Sequence, residues 1–145
     1  MKFTVKLPES EKAKFKAWTD KLTKENRRQC QNIMVGTITG IARKAAMFAP
    51  VNTSFLKTGI RPTFTNDRLG GTVYNARLYA PYVEFGTGDM VVAPSDVADY
   101  AMTFKGKGIR KVNNRARPYL FPAVRIGQKE MIAKLKQLGF NERSI

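Results

Sequence analysis

Histidine is missing from all 145 residues. With it go the imidazole general base, the histidine zinc site and phosphohistidine chemistry. Cysteine occurs once, at Cys30, so no disulfide can close within the chain and no cysteine zinc cluster can form. A small apolar or surface role for Cys30 outweighs a catalytic one. Acids are scarce, 11 Asp and Glu against 26 Lys and Arg, and they are scattered; a paired acid–base site has no candidate. There is no Walker lysine loop and no dinucleotide-binding glycine pattern. These absences argue against an enzyme and lead us to expect no cofactor. No apolar run approaches the roughly 20 residues that span a bilayer, and Met1-Lys2-Phe3-Thr4-Val5 lacks the apolar region of a signal peptide. The expectation is a chain that is cytoplasmic at synthesis and has no membrane partner.

What remains is a composition of one globular domain over residues 1–145, with 43% hydrophobic residues, no internal repeats and no linker rich enough to divide it. The formal charge of +15 favours an anionic partner: nucleic acid, an acidic protein surface or a membrane face. Solubility and self-repulsion are its plainer meaning.

Phe3, Val5 and Leu7 alternate with Lys2, Thr4 and Lys6, the period of a short strand, which Pro8 ends. Phe15, Trp18 and Leu22 stand at helical spacing, and Met34, Ile38, Ile41, Ala45 and Phe48 repeat at four-three-four-three. Thr23 to Gln31 between them is polar. This predicts one long helix, or two stacked ones, from about residue 9 to 48, stopped by Pro50. Thr63 to Thr65 and Gly71 to Tyr74 bracket a loop holding Asp67 and Gly70, a hairpin signal. Tyr79-Ala80-Pro81-Tyr82-Val83-Glu84-Phe85 is aromatic and β-branched, suited to a pleated edge strand with Pro81 at an edge or bulge, and Gly86-Thr87-Gly88 ends it as a turn. Glu84, if buried among these rings, needs a basic or N–H partner. Residues 89–115 read as a basic loop insertion, with a helical turn over Asp96 to Tyr100 and with Lys105, Lys107, Arg110, Lys111 and Arg115 free of nearby acid. After Arg117 and Pro118, Pro122 starts a last helix with Met131, Leu135 and Leu138 buried and Gly139 as its cap; residues 140–145 read as a frayed tail.

Three segments, taken in order, carry a resemblance. They are Ala49-Pro50-Val51-Asn52-Thr53 after the long helix, Tyr79-Ala80-Pro81-Tyr82-Val83-Glu84-Phe85-Gly86-Thr87, and Ala116-Arg117-Pro118-Tyr119-Leu120 with Pro122-Ala123. Together they resemble the tail-completion, or head–tail joining, proteins of tailed bacteriophages, the family of the lambda-like minor tail protein Z and gene-ten-product types. The likeness spans roughly residues 3 to 138, with the middle segment the most specific part. Asn52, Thr53 and Ser54 stand where the family shows aspartate, threonine and glycine, and Leu56-Lys57 where it shows leucine and arginine.

The resemblance implies an α+β fold with a long N-terminal helix packed on a small antiparallel β-sheet and a C-terminal helix. It implies a non-catalytic virion structural protein at the head–tail junction, present in the host cytoplasm during assembly. By analogy it forms a homo-oligomeric ring, a hexamer first, and meets other neck and tail proteins such as the tail tube and the connector or stopper. Its candidate oligomer or neck interface is Tyr79, Pro81, Tyr82, Glu84, Phe85, Gly86, Thr87, Arg117 and Pro118, with Glu84 expected to pair with Arg117. Lys105, Lys107, Arg110, Lys111 and Arg115 are expected to meet an acidic partner, with packaged DNA in the lumen a secondary contact. The alternative from another class is a free, basic nucleic-acid-binding module. A hydrolase or nuclease would need a divalent metal.

Overall fold

A computed structural model describes residues 2–5, 9–50, 54–87, 90–92, 94–102 and 114–140. The fold is α+β. Strand β1 (Lys2–Val5) is followed by helices α1 (Glu9–Asp20), α2 (Lys24–Phe48) and α3 (Ser54–Thr58). Strands β2 (Ile60–Phe64) and β3 (Gly71–Asn75), helix α4 (Ala80–Phe85), a 3-10 turn (Ser95–Val97), helix α5 (Ala98–Met102) and helix α6 (Leu120–Gln137) complete it.

Of the two forms expected over 9–48, one long helix or two, the chain adopts two. The break falls at the polar stretch, where the Thr23 hydroxyl accepts from the Asn26 N–H at 3.3 Å and so starts α2 afresh. Met34, Ile38, Ile41 and Ala45 are buried as their spacing predicts, and Cys30 extends the stripe back one turn. Phe48, at the stripe's end, is exposed. Burial raises the Cys30 thiol to a pKa of about 11, so it stays protonated and acts as a small apolar side chain.

The sheet has three antiparallel strands in the order β1-β3-β2, with Phe3 and Pro62 both opposite Val73. The edge-strand proline of this fold is therefore Pro62 in β2, where the missing N–H costs no ladder bond on the open side. The hairpin loop is built by Asp67, whose Oδ1 accepts from Thr65 Oγ1 at 2.5 Å and from the Leu69 N–H at 3.0 Å.

Early α2 meets late α6, so the two longest helices run antiparallel. They enclose two clusters. One joins Ile38, Ile41 and Ala45 to Leu56, Val73, Tyr119, Leu120 and Ala123 between the sheet and the start of α6. The other joins Phe15, Cys30 and Met34 to Met131, Leu135 and Phe140. Phe140, expected in the tail, is buried and stacks edge-on against Phe15 and Trp18, with ring centroids 5.7 and 5.3 Å away. It is held there by the end of α6. Gly139 has φ +108°, the Phe140 N–H donates to the Leu135 carbonyl at 2.9 Å, and the Gly139 N–H donates to that of Lys136 at 3.1 Å. This is the Schellman closure of a helix, with its apolar contact between Phe140 and Leu135.

Candidate functional site

The segment over 79–85 is a helix, not the expected edge strand. Burial falls at Ala80, Pro81, Glu84 and Phe85, a helical spacing rather than an alternation. Pro81 lies in the first turn, where its ring sets φ and its missing N–H would be unpaired anyway. Gly86 closes α4 with φ +80°, its N–H donating to the Tyr82 carbonyl at 3.0 Å. A Cβ there would lie 2.6 Å from the Met90 carbonyl oxygen, 2.8 Å from that of Asn114 and 2.9 Å from the Ala116 nitrogen, so only glycine fits. Thr87 ties the same spot: its N–H donates to the Asn114 carbonyl at 3.0 Å, and its hydroxyl accepts from the Asn114 N–H at 2.9 Å.

Glu84 is fully buried and its partner is the backbone of α6. One carboxylate oxygen accepts from the Tyr119 and Leu120 N–H groups, both at 2.9 Å, and the other from the Phe121 N–H at 2.8 Å. A helix leaves four N–H groups unpaired at its start. Here they belong to residues 119 to 122; three are taken by Glu84, and Pro122 has none. The charge also sits at the positive end of an 18-residue helix. Burial pushes the Glu84 carboxyl above its usual range, and the three N–H donors oppose that rise.

The expected Glu84–Arg117 pair is thus replaced by main-chain bonds. The Arg117 N–H donates to the Val83 carbonyl at 2.8 Å, while its side chain is exposed. An exposed guanidinium cannot follow the carboxylate into the core without losing its own water.

Asn75 and Tyr119 extend this buried polar centre. Asn75 Nδ2 donates to the Leu56 carbonyl at 3.0 Å and to the Tyr119 hydroxyl at 2.9 Å, and its Oδ1 accepts from the Arg77 N–H at 3.0 Å. Burial and the neighbouring Glu84 charge push the Tyr119 phenol above its ordinary value. The sequence reading missed both as site residues. Period-two spacing from Val73 would have put Asn75 on the buried face of β3.

The candidate interface residues divide accordingly. Pro81, Glu84, Phe85 and Gly86 are buried and hold α4 against α6, whereas Tyr79, Arg117 and Pro118 are exposed and Tyr82 and Thr87 half-buried. Arg115 is exposed as well; Lys105, Lys107, Arg110 and Lys111 lie outside the described residues. Tyr79, Tyr82 and Val83 meet Pro50, Asn114, Arg115 and Arg117 around a groove of about 420 Å³. On the other side of α4 a second groove, about 460 Å³, is mainly apolar, lined by Phe85, Val92, Pro94, Phe121 and Pro122 among others. Arg125 at its edge covers the Phe121 ring at 4.5 Å and pairs with Asp96 at 3.2 Å.

Among the described residues no group of three or more His, Cys, Asp or Glu side chains could hold a metal ion, and no helix is long and apolar enough to cross a membrane. No protein-family model, curated protein or solved structure matches this chain.

Proposed function

We propose that the protein is a structural component of a bacteriophage virion at the head–tail interface, a tail-completion, tail-terminator or neck-ring subunit that joins tail to head. The observation that carries this reading is spatial. The three segments that resemble the head–tail joining family lie far apart in the chain, yet one groove draws a wall from each: Pro50 from the first, Tyr79, Tyr82 and Val83 from the second, and Arg117 from the third. Order along a sequence does not require such convergence; a shared surface does. The reading assigns no catalytic role.

A closed ring forms when a head-to-tail contact between copies has a rotation that closes. The resemblance favours a hexamer, contacting the tail tube and the connector or stopper. Packaged DNA in the lumen is a secondary partner for the basic surface.

Immunogold electron microscopy of virions with antibody to this protein tests the reading. Label confined to the head–tail junction is the expected result. A second reading, a free nucleic-acid-binding module, is favoured by the net charge of +15. Unlabelled virions, together with steeply salt-dependent DNA binding by the purified protein, would replace the first reading with the second.

A further inference from the structure

The groove between Pro50, Tyr79, Tyr82, Arg115 and Arg117 carries two positive charges. None of its described lining residues is acidic. Arg115 and Arg117 are both exposed, and neither guanidinium has a partner among the described residues. The tyrosine rings and Pro50 add an apolar wall beside the two cations, and the space is concave and of side-chain dimensions.

A second copy of this chain would bring 26 basic against 11 acidic residues to such a contact, and four of those acids are already engaged. Its Glu84 is committed to the start of α6 and its Asp67 to the hairpin turn. Its Asp96 is paired with Arg125 and its Glu130 with Lys44 at 2.7 Å. With 26 basic residues per copy, like charge would face like across such a contact. Duplex DNA fits no better: its phosphates track an extended positive surface, not two cations inside one hollow.

We propose that this groove docks an acidic, extended segment of a different protein, a carboxylate held between Arg115 and Arg117 and its apolar part against Tyr79, Tyr82 and Pro50. An arginine holds a carboxylate through two parallel N–H bonds, which fixes orientation as well as charge. The inference rests on the virion reading only for where that protein sits, as a neighbour in the neck or tail.

The test is fluorescence anisotropy of the full-length protein with a short fluorescein-labelled oligoglutamate peptide containing one phenylalanine. Oligothymidylate of equal length serves as competitor. Two double variants with the same net charge are compared: Arg115→Glu with Arg117→Glu in the groove, and Lys129→Glu with Lys136→Glu on exposed positions of α6. All four side chains are exposed, and a thermal melt checks folding. The groove variant is expected to weaken peptide binding about tenfold or more, the α6 variant less than about threefold. Equal losses would reduce the effect to net charge, and absence of peptide binding would leave the groove without its ligand; either overturns the proposal. So would oligothymidylate binding more tightly through the same two arginines, which would make the occupant a nucleic acid. Junction labelling of virions combined with failed peptide binding would remove this inference and leave the virion reading standing.

Discussion

Glu84 accepts three main-chain N–H bonds from residues 35 to 37 positions away in sequence, at 2.8 to 2.9 Å. Replacing it with alanine leaves three buried donors unpaired and should cost about 3 kcal/mol or more in urea denaturation. Glu84→Gln keeps one acceptor oxygen but turns an NH2 group toward an N–H, so an intermediate loss is expected. The pH dependence has a definite sign. Burial raises the carboxyl above its ordinary 4.5 in the folded state, so the folded protein holds this proton more tightly than the unfolded chain. The stability it contributes is full below about that ordinary value and falls as pH rises through the folded pKa. The advantage of wild type over Glu84→Gln should therefore be largest near pH 4 and shrink toward neutrality. A gap that widens with pH would show that the N–H donors outweigh burial. The sequence shows that a carboxylate stands among aromatic rings and needs a partner. It does not show which, because the donors come from a helix that approaches only after folding. Arg117 was the natural choice by charge, yet its side chain is exposed and its N–H goes to the Val83 carbonyl.

At the scale of elements, local preference and tertiary packing disagree most at α4. Tyr, Val and Phe favour strands in isolation, but a short helix starting at Ala80, with Pro81 in its first turn, buries Phe85 and aims Glu84 at α6. The amphipathic helices were readable because their spacing is regular over several turns; the six-residue α4 is too short to display a period. The contact between α2 and α6 was not readable at all. At Gly127 the helices approach so closely that a Cβ would run into Ile41 Cγ1 and Cδ1. Gly127→Ala gains helix propensity of up to about 1 kcal/mol, but overpacking at this fully buried isoleucine should turn the net change into a loss of about 1–2 kcal/mol. Ile41→Val in the same background should recover part of the loss, a non-additivity that a double-mutant cycle measures. Additive losses would mean that the helices shift apart instead.

The whole molecule carries an excess of 15 positive charges on a 16.3 kDa chain. Few ion pairs offset them among the described residues, Lys44–Glu130 and Arg125–Asp96 being exposed or half-exposed. Self-repulsion of this size is screened by salt. The melting temperature should rise by several degrees as sodium chloride is raised from about 0.05 to 0.5 M. A falling melting temperature would show that attractive pairs, not repulsion, dominate the surface. What the chain's order of residues settles here is whatever depends on neighbours within a few positions: the β1 and hairpin patterns, the buried stripe of α2, the stop at Pro50, the closure at Gly139 and the sign of the charge. Which distant residues share a site depends on how α2, α4 and α6 pack. Burial and unpaired backbone donors, quantities that exist only once the chain is folded, sent Glu84 to the start of α6, left Arg117 at the surface and set Pro50 beside Tyr79.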